Sequence, residues 1–270
     1  MTLAGEVTRR RVAGGDINEA FAVELEDGSA AFVKTRADAA SGEYATEAAG
    51  LRWLGEGDGL PVPEVVSVAD DHLALAWVEA GGALDEEALG RGLAITHAAG
   101  AQAHGALPPG AQGPLRIGPL AFPGTARDWP ALYAEHRLAP LLPKAGLSSA
   151  GRGTVESVIE RLPELAGPPE PPARLHGDLW SGNVLAGADG RPWLIDPAAH
   201  GGHREVDLAM LRLFGSPSPR LLTAYEEVAP LAPGHEERVA LWQLFPLLVH
   251  AVLFGGAYAA SAERVARRYC

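Results

Sequence analysis

An aspartate and an asparagine lie five positions apart in the segment 176–183, which reads His-Gly-Asp-Leu-Trp-Ser-Gly-Asn. Transfer of a phosphoryl group to a hydroxyl needs a base for the hydroxyl proton and metal ions that neutralise the transferred charge. Asp178 can act as that base, and the carboxamide oxygen of Asn183 can reach a magnesium ion. The spacing matches the H-R-D-x-x-x-x-N pattern of kinase catalytic loops, with glycine in place of the arginine.

A second aspartate follows this loop at a position where a strand is expected to end. Asp196 comes thirteen residues after Asn183 and closes a short apolar stretch. One hairpin after the loop, its carboxylate can bind the magnesium ion that bridges the β- and γ-phosphates of ATP. Each aspartate alone could be an ordinary turn residue. Together, Asp178, Asn183 and Asp196 predict an ATP- and magnesium-dependent phosphotransferase that acts on a hydroxyl.

Lysine is rare in this chain, and one lysine lies where a phosphate-binding group is needed. Lys34 and Lys144 are the only lysines among 22 basic residues. A lysine retained against this arginine bias can be there for its compact, mobile charge. Lys34 ends a predicted strand and can reach the α- and β-phosphates, while Glu47, thirteen residues later, can hold it by an ion pair. Glu43, one helical turn earlier, is the alternative partner.

Two further segments are expected to bind the nucleotide. In a turn between the first two predicted strands, backbone N–H groups could approach the phosphates. This turn comprises Gly14, Gly15, Asp16, Ile17 and Asn18. An ordinary hairpin turn is the alternative, because the spacing is not G-x-G-x-x-G. At the end of the predicted strand 73–78, the backbone of Ala76 and Val78 is expected to hydrogen-bond adenine.

Two different halves are expected to position these residues. Apolar alternation and turn residues predict five strands and one helix in the first half. The strands are expected before residue 14 and at 19–26, 30–35, 64–69 and 73–78, and the helix at 41–54. Gly81-Gly82 marks the expected boundary. We therefore predict an N-terminal nucleotide-binding lobe of residues 1–80 and a C-terminal catalytic and substrate-binding lobe of residues 81–270.

The second half is predicted to be mainly helical. Helices are expected at 85–104, 129–142 and 148–162, and again after residue 206, with short strands at 174–176 and within 183–196. The segment 105–128 is rich in proline and glycine and is predicted to be a loop. A strand-rich half followed by a helical half gives an α+β fold class.

The overall composition limits the partners and the compartment. A net charge of −12 argues against nucleic acid, whose binding depends on Lys and Arg. An acidic surface could suit an amine-bearing substrate or simply aid solubility. Cys270 is the only cysteine and no signal peptide is apparent, so we expect a cytoplasmic protein. The apolar stretch 241–260 is interrupted by polar and helix-breaking residues, which favours a buried core helix over a membrane span. A monomer is the default expectation.

The segment 175–183 resembles the signature of the fructosamine kinase (ketosamine-3-kinase) family. This family is related to the aminoglycoside phosphotransferases and choline kinases, which share a two-lobed protein-kinase-like fold. Trp180 is informative, because the wider aminoglycoside group generally has other residues after H-G-D-L. The resemblance runs from about residue 10 to residue 260 and includes three further stretches: 14–20, 196–209, and Asp128-Trp129 with Tyr133 and Arg137-Leu138.

The resemblance implies phosphorylation of a sugar hydroxyl of a ketosamine, the adduct of a reducing sugar with an amine, in deglycation repair. It gives Asp178 the role of the base, and Asn183 and Asp196 the role of magnesium ligands. Lys34 and Glu47 would form the phosphate clamp. The substrate could be a free small molecule or an adduct on a protein.

Three residues are predicted to contact this substrate besides the base. Trp180 could pack against the sugar or hold a protonated amine by cation–π attraction, or it could be a core tryptophan. Trp129 is assigned to the same substrate site. Glu205 could meet the amine, although a salt bridge with Arg204 or another neighbour is the alternative.

Further residues near the motif are expected to be structural or solvated. Asp207 would brace the catalytic loop through its backbone, or cap a helix. His176 is expected to bond the loop backbone, and His200 and His203 to be solvated in a glycine-rich loop. Two alternative functions remain at this stage. One is another small-molecule kinase of the same fold, acting on an aminoglycoside, macrolide or amino alcohol, and the other is a pseudokinase that binds nucleotide without turnover.

Overall fold

The computed structural model describes residues 2–12 and 18–270. Four residues predicted to bind phosphate, namely Gly14, Gly15, Asp16 and Ile17, lie outside the described residues. Asn18, the fifth member of that predicted turn, is described.

A five-stranded antiparallel sheet in the order β1-β2-β3-β5-β4 forms the first part of the chain. Its strands are β1 (Glu6–Arg11), β2 (Glu19–Leu25), β3 (Ala30–Thr35), β4 (Val65–Ala69) and β5 (His72–Ala76). One helix, α1 (Glu43–Leu54), packs against this sheet. The predicted five strands and one helix are therefore confirmed, with bounds that differ by no more than two residues.

Side-chain alternation along β3 directs Lys34 towards α1. Ala31 and Val33 are buried in a cluster on one face of the sheet, whereas Phe32 packs into the cluster that contains α1 residues. Because successive side chains of a strand point to opposite faces, Lys34 shares the face of Phe32. The predicted ion pair between β3 and α1 is thus a consequence of strand periodicity.

Helices dominate the rest of the chain. They are α2 (Glu86–Ala98), α3 (Trp129–Leu132), α4 (Ser149–Leu165), α5 (Glu205–Leu211), α6 (Pro219–Val228), α7 (His235–Trp242), α8 (Leu244–Phe254) and α9 (Ala257–Ala266). Asp85, Asp128 and Ser148 cap the first three by accepting a backbone N–H. With the N-terminal sheet, these helices make the predicted α+β fold.

Two helices differ from the sequence prediction. The helix expected at 85–104 ends at Ala98, because Gly100 adopts a left-handed φ of 72°, a common way to terminate a helix. The helix expected at 129–142 begins as α3, continues as a π-helical turn over Tyr133–Leu138 and ends as a 3₁₀ turn over Ala139–Leu141. Pro140 lacks the N–H needed to continue regular α-helical bonding there.

The segment 105–128 is not entirely a loop. It contains a short antiparallel hairpin of β6 (Leu115–Ile117) and β7 (Leu120–Phe122). Phe122 packs edge-on against Phe245 of α8, with ring centroids 5.1 Å apart. This contact attaches the hairpin to the helical core.

Four short strands surround the predicted catalytic loop: β8 (Ala173–Leu175), β9 (Val184–Ala186), β10 (Pro192–Leu194) and β11 (His200–Gly202). The β9–β10 hairpin confirms the strands expected within 183–196. The strand β11 was not predicted, and it pairs with β8. The expectation that His200 and His203 are solvated is wrong, because this pairing and the helical core bury both to 3% exposure.

The apolar segment near the C-terminal end passes through α7 and α8. Within the described residues, one helical stretch, His235–Phe254, is long and apolar enough to cross a membrane, and 56% of its apolar window is buried in the fold. Leu241, Leu244 and Leu248 in this stretch are fully buried in the main hydrophobic cluster of the helical half. These contacts are those of a core helix.

Candidate active site

A cavity of about 590 Å³ lies where the sheet, the catalytic loop and the last two helices meet. Its lining brings together five charged or amide-bearing residues that the sequence predicts for phosphoryl transfer. These are Lys34, Glu47, Asp178, Asn183 and Asp196. The residues come from two distant parts of the chain, 34–47 and 178–196, so their convergence depends on the tertiary fold.

Asp207 of α5 anchors the backbone of the catalytic loop. The Asp207 carboxylate accepts the backbone N–H groups of His176 and Gly177 at 2.7 and 2.9 Å, and it lies 3.2 Å from Nε2 of His97. Burial alone would raise the pKa of Asp207, but these hydrogen bonds outweigh it and lower the pKa. An ionised carboxylate therefore fixes the start of the loop, which matches the predicted bracing role.

His176 and Gly177 make the loop compact. The Nε2 atom of His176 lies 2.9 Å from the carbonyl of Ile195, to which it donates, and Nδ1 accepts the backbone N–H of Asp178 at 3.3 Å. Gly177 has a φ of 82°, and a Cβ at this position would collide with the carbonyl oxygen of Ala198. Only glycine satisfies both the left-handed backbone and this close approach.

Asp178 and Asn183 face each other across the loop. The Nδ2 atom of Asn183 donates to the backbone carbonyl of Asp178 at 2.8 Å and lies 3.4 Å from its carboxylate. This orientation uses the amide nitrogen and leaves the amide oxygen as a ligand for a cation. Burial raises the pKa of Asp178, against the opposing effects of His176 and His250. A carboxylate with a raised pKa is a stronger base for a hydroxyl proton.

Lys34 joins the sheet half to the catalytic half. Its Nζ atom lies 2.5 Å from Glu47 of α1 and 2.9 Å from Asp196. Burial opposes the charge on Lys34, but the two carboxylates outweigh it and raise the pKa of the ammonium group. Glu43, the alternative partner, pairs instead with Arg36 at 2.8 Å.

Asp196 has an unusual backbone for its residue type. It is the only non-glycine residue with a positive φ, at 52°, among the residues that the structure describes. Such conformations carry strain and are enriched at functional sites. The charge of Lys34 lowers the pKa of Asp196, whereas burial raises that of Asp178. The two carboxylates are thus suited to different tasks, one as an anionic ligand and the other as a base.

The donor atoms at this point fit magnesium. Asn183 offers an amide oxygen and Asp196 a carboxylate, and Mg²⁺ is usually held by one or two carboxylates together with substrate phosphates and water. No group of three or more His, Cys, Asp or Glu side chains that could hold a metal occurs in the described part of the chain. The oxygens of Asn183 and Asp196 therefore suit a metal ion whose other ligands come from a nucleotide and water.

The residues predicted for nucleotide binding are only partly brought to the cavity. Asn18 lines it, and its side-chain oxygen accepts the hydroxyl of Tyr44 at 2.9 Å. Neither Ala76 nor Val78 belongs to the described cavity lining. The N–H of Ala76 donates to the carbonyl of Glu64 at 2.8 Å, so an adenine contact of Ala76 would use its carbonyl oxygen. The adenine contacts of Ala76 and Val78 stay predictions.

Of the three predicted substrate residues, only Trp180 reaches the cavity. It is 40% exposed and lines the space beside Asp178, which rules out the core alternative. Its ring covers Gly182, where a Cβ would collide with it.

The structure does not bring Trp129 or Glu205 to the site. Trp129 is 4% exposed and packs against Tyr133 and Trp242. Glu205 is buried and accepts from Arg238 at 2.5 and 2.9 Å and from Trp242 at 2.8 Å. The alternative of a salt bridge is therefore what the structure shows for Glu205, with Arg238 rather than Arg204 as the partner.

Several residues that line the cavity were not predicted from the sequence. The hairpin contributes the segment 115–118, and the helical side contributes Phe214, His250, Phe254 and Tyr258. The four-residue spacing of His250 and Phe254 could have placed these two on one face of α8, whereas Tyr258 lies on α9. Because the stretch 241–260 is so apolar, they were instead interpreted as core.

Comparison with known proteins shows which proteins this chain resembles. The sequence matches the fructosamine kinase family over residues 4–270. It is 34% identical over 269 residues to a probable ketoamine kinase of Synechocystis sp., covering 96% of this chain and 89% of that protein.

Solved structures show the same relationship. The crystal structure of a candidate fructosamine-3-kinase from Thermobifida fusca has a TM-score of 0.89 at 44% identity, with 97% and 94% of the two chains covered. A macrolide 2'-phosphotransferase of type I shares the fold, with a TM-score of 0.67, 18% identity and coverage of 97% and 92%. The fold is that of the protein-kinase-like phosphotransferases. With the family match spanning nearly the whole chain and the catalytic loop intact, the chain belongs to the fructosamine kinase family.

Proposed function

We propose that this protein transfers the γ-phosphoryl group of ATP to a sugar hydroxyl of a ketosamine, with Asp178 as the general base. Family membership supports the reaction class, an ATP-dependent phosphotransferase with an alcohol acceptor. The observation that carries the proposal is the convergence of Asp178, Asn183, Asp196 and Lys34 on one cavity. Its biological role would be deglycation repair.

Asp178 would accept the proton of the attacking hydroxyl. Its raised pKa favours proton uptake, and the hydrogen bonds of Asp207 to the loop keep it in place. Lys34, held by Glu47 and Asp196, would bind the α- and β-phosphates. The protein thus contributes mainly position and charge, which is what phosphoryl transfer requires.

Asn183 and Asp196 would hold magnesium, which supplies neutralisation of the phosphate charge. Asn18, together with Gly14, Gly15, Asp16 and Ile17, would lie along the phosphates, and the backbone of Ala76 and Val78 would contact adenine. These nucleotide contacts rest on the sequence motif and on the position of Asn18 in the cavity lining.

The remaining features of the proposal concern the whole chain. We assign residues 1–80 to a nucleotide-binding lobe and residues 81–270 to a catalytic and substrate-binding lobe. The protein would act as a cytoplasmic monomer on small-molecule or protein-bound ketosamines, and nucleic acid and membranes would not be partners. The acidic net charge of −12 supports the exclusion of nucleic acid.

The test is ADP release with Mg-ATP and a panel of acceptors. The panel contains fructoselysine, ribuloselysine and erythruloselysine beside an aminoglycoside, a macrolide and choline. Turnover confined to the sugar–lysine adducts is the expected result, and their ranking would identify the preferred sugar. Turnover on the other acceptors alone would refute the substrate class. Nucleotide binding without turnover on any acceptor would favour the pseudokinase alternative.

A further inference from the structure

A group of rings lines the end of the cavity formed by the helical half. Phe214, His250, Phe254 and Tyr258, which we call the ring wall, all belong to the cavity lining. His250 lies at the centre, with ring centroids 4.8 Å from Phe214, 5.5 Å from Phe254 and 5.1 Å from Tyr258. The ring wall is thus one continuous surface.

The ring wall is more exposed than structural packing requires. Phe254 is 56% exposed and Phe214 is 37% exposed, although residues a few positions earlier along the chain are buried in the main core. Exposed aromatic surface that is contiguous and lies inside a cavity is characteristic of ligand sites. The Nδ1 atom of His250 lies 2.7 Å from the carbonyl of Pro246, to which it donates, so the ring is fixed in its orientation. The surface is therefore preorganised.

None of the Asp, Glu, Lys or Arg side chains that line the described cavity belongs to the ring wall. Four carboxylates line the described cavity: Glu43, Glu47, Asp178 and Asp196. Glu43 pairs with Arg36, while Glu47 and Asp196 pair with Lys34. The ring wall itself contributes no carboxylate, and the exposed rings of Phe214 and Phe254 make most of its accessible surface apolar. An uncharged, apolar occupant fits this surface.

Continuity with the base identifies which part of the acceptor reaches the ring wall. Asp178 and Trp180 line the same cavity, and His250 is near enough to affect the pKa of Asp178. When the sugar hydroxyl of a ketosamine lies at Asp178, the substituent on its amine nitrogen extends away from the sugar into another part of the cavity. The ring wall is the apolar surface available to that substituent.

Resting on the proposed function, we propose that the ring wall is the subsite for the amine substituent of the ketosamine. It selects adducts whose nitrogen carries an uncharged carbon chain of several methylenes, such as the stem of a lysine side chain. Adducts of short or highly charged amines are poorer substrates, because they leave the aromatic surface in water.

The test uses adducts of one sugar with methylamine, propylamine and pentylamine. We expect kcat/KM to rise about two- to four-fold for each added methylene, as expected when an apolar chain is buried. An adduct of 1,5-diaminopentane, which adds a terminal ammonium to the pentyl chain, should lose most of that gain. In Phe254→Ala the ratio of kcat/KM between the pentyl and methyl adducts should fall towards one.

Ile95→Ala is the matched control, because Ile95 on α2 is 38% exposed and lies outside the cavity lining. It should keep the wild-type ratio. Phe214→Ala provides a second ring-wall variant should Phe254→Ala fail to fold.

The outcomes separate this inference from the proposed function. Phosphorylation of all adducts with equal kcat/KM would overturn the ring-wall subsite and leave the kinase assignment intact. No phosphorylation of any adduct would instead refute the proposed function. If both ring-wall variants keep the wild-type ratio while they change the oligomeric state in light scattering, the wall is a contact between protein copies and the inference is wrong.

Discussion

At the scale of single residues, the site depends on carboxylates of the same type that meet different surroundings. Asp178 is partly buried with no cation in direct contact among the described residues, so burial raises its pKa. Asp196 lies 2.9 Å from Lys34, whose charge lowers its pKa. Asp207 is enclosed by backbone donors and stays ionised. Their different surroundings therefore suit the three aspartates to the different roles that we propose, namely base for Asp178, metal ligand for Asp196 and loop support for Asp207.

The support given by Asp207 can be tested with Asp207→Asn. The amide can replace only one of the two carboxylate acceptors, so one buried loop N–H loses its partner at a cost of about 1–3 kcal/mol. We expect a lower melting temperature and a lower kcat, with the KM for ATP little changed. Asp189→Asn, in the exposed β9–β10 turn, is the control and should affect neither. A wild-type kcat in Asp207→Asn would show that the loop does not need this support.

Burial of His200 predicts a pH dependence of stability. Burial lowers the pKa of His200 from 6.5 to about 4, and burial also lowers that of His203. Unfolding then takes up protons, so stability is present above the unfolded pKa and is lost as the pH falls towards 4. The His200 contribution to this loss is about 3 kcal/mol.

Urea unfolding between pH 7 and pH 4.5 would measure this loss. His200→Gln cannot titrate, and we expect its free energy of unfolding to fall less steeply with decreasing pH than that of the wild type. Equal slopes for the two proteins would mean that His200 takes up its proton equally in the folded and unfolded states.

Single residues also show which parts of the candidate site could be predicted from the sequence and which could not. Lys34 was identifiable because lysine is so rare here and because a helix with Glu47 follows at the right distance. Trp129 and Glu205 were misplaced because residue type does not report burial. Glu205 is buried where Arg238 and Trp242, 33 and 37 positions later in the chain, donate to its carboxylate.

At the scale of elements, the catalytic loop is fixed by its flanking strands. The strand β8 leads into the loop and pairs with β11, while β9 and β10 carry the chain from Asn183 back towards Asp196. The loop lies so close to the residues that follow Asp196 that a side chain at Gly177 would collide with their backbone.

Gly177→Ala should therefore displace the loop. A left-handed backbone costs an alanine about 1–2 kcal/mol, and the collision with Ala198 adds to this. We expect a reduced melting temperature and a kcat reduced by at least ten-fold. Gly153→Ala is the contrasting change, because Gly153 lies in α4 with no atom within 4 Å of an added Cβ. That change should stabilise the protein by about 0.5–1 kcal/mol without affecting kcat. Equal kcat values for the two variants would contradict the close-approach argument.

The elements that were predicted well are those with local signals. The strands β2 and β3 alternate around the Asp27-Gly28 turn, and α4 begins after the capping residue Ser148. The strand β11 has no such signal, since His-Gly-Gly becomes a strand only by pairing with β8. The β6–β7 hairpin is equally short, and its packing on Phe245 is a long-range contact.

At the scale of the whole molecule, a few contacts join the sheet half to the catalytic half. Lys34 pairs with Asp196, the N–H of Leu194 donates to Pro61, and the N–H of Ala188 donates to Glu79. The order of the two halves and the motif order along the chain were predictable from sequence. The shape of the cavity end that would receive the acceptor was not predictable, because it depends on how the β6–β7 hairpin and the last two helices meet.

Nucleotide binding between these halves should stabilise the fold. A ligand at one hundred times its Kd adds about 2.7 kcal/mol, which corresponds to a rise in Tm of about 5–10 °C for a protein of this size. We expect this rise with Mg²⁺ and a non-hydrolysable ATP analogue, and a smaller one when EDTA is added. Lys34→Met should lose most of the rise, whereas Lys144→Met, at the exposed second lysine, should keep it. Equal rises in the two variants would exclude Lys34 from phosphate binding.

Detection of the phosphorylated product tests the central claim most directly. The wild type and Asp178→Asn are incubated with Mg-ATP and a sugar–lysine ketosamine, and the adduct is followed by ³¹P NMR and mass spectrometry. We predict one phosphate monoester on the sugar with the wild type, and formation slower by about 100- to 10,000-fold with Asp178→Asn, whose nucleotide binding is retained. Absence of a phosphate monoester from every ketosamine offered to an ATP-binding wild type, or wild-type turnover by Asp178→Asn, would contradict the account.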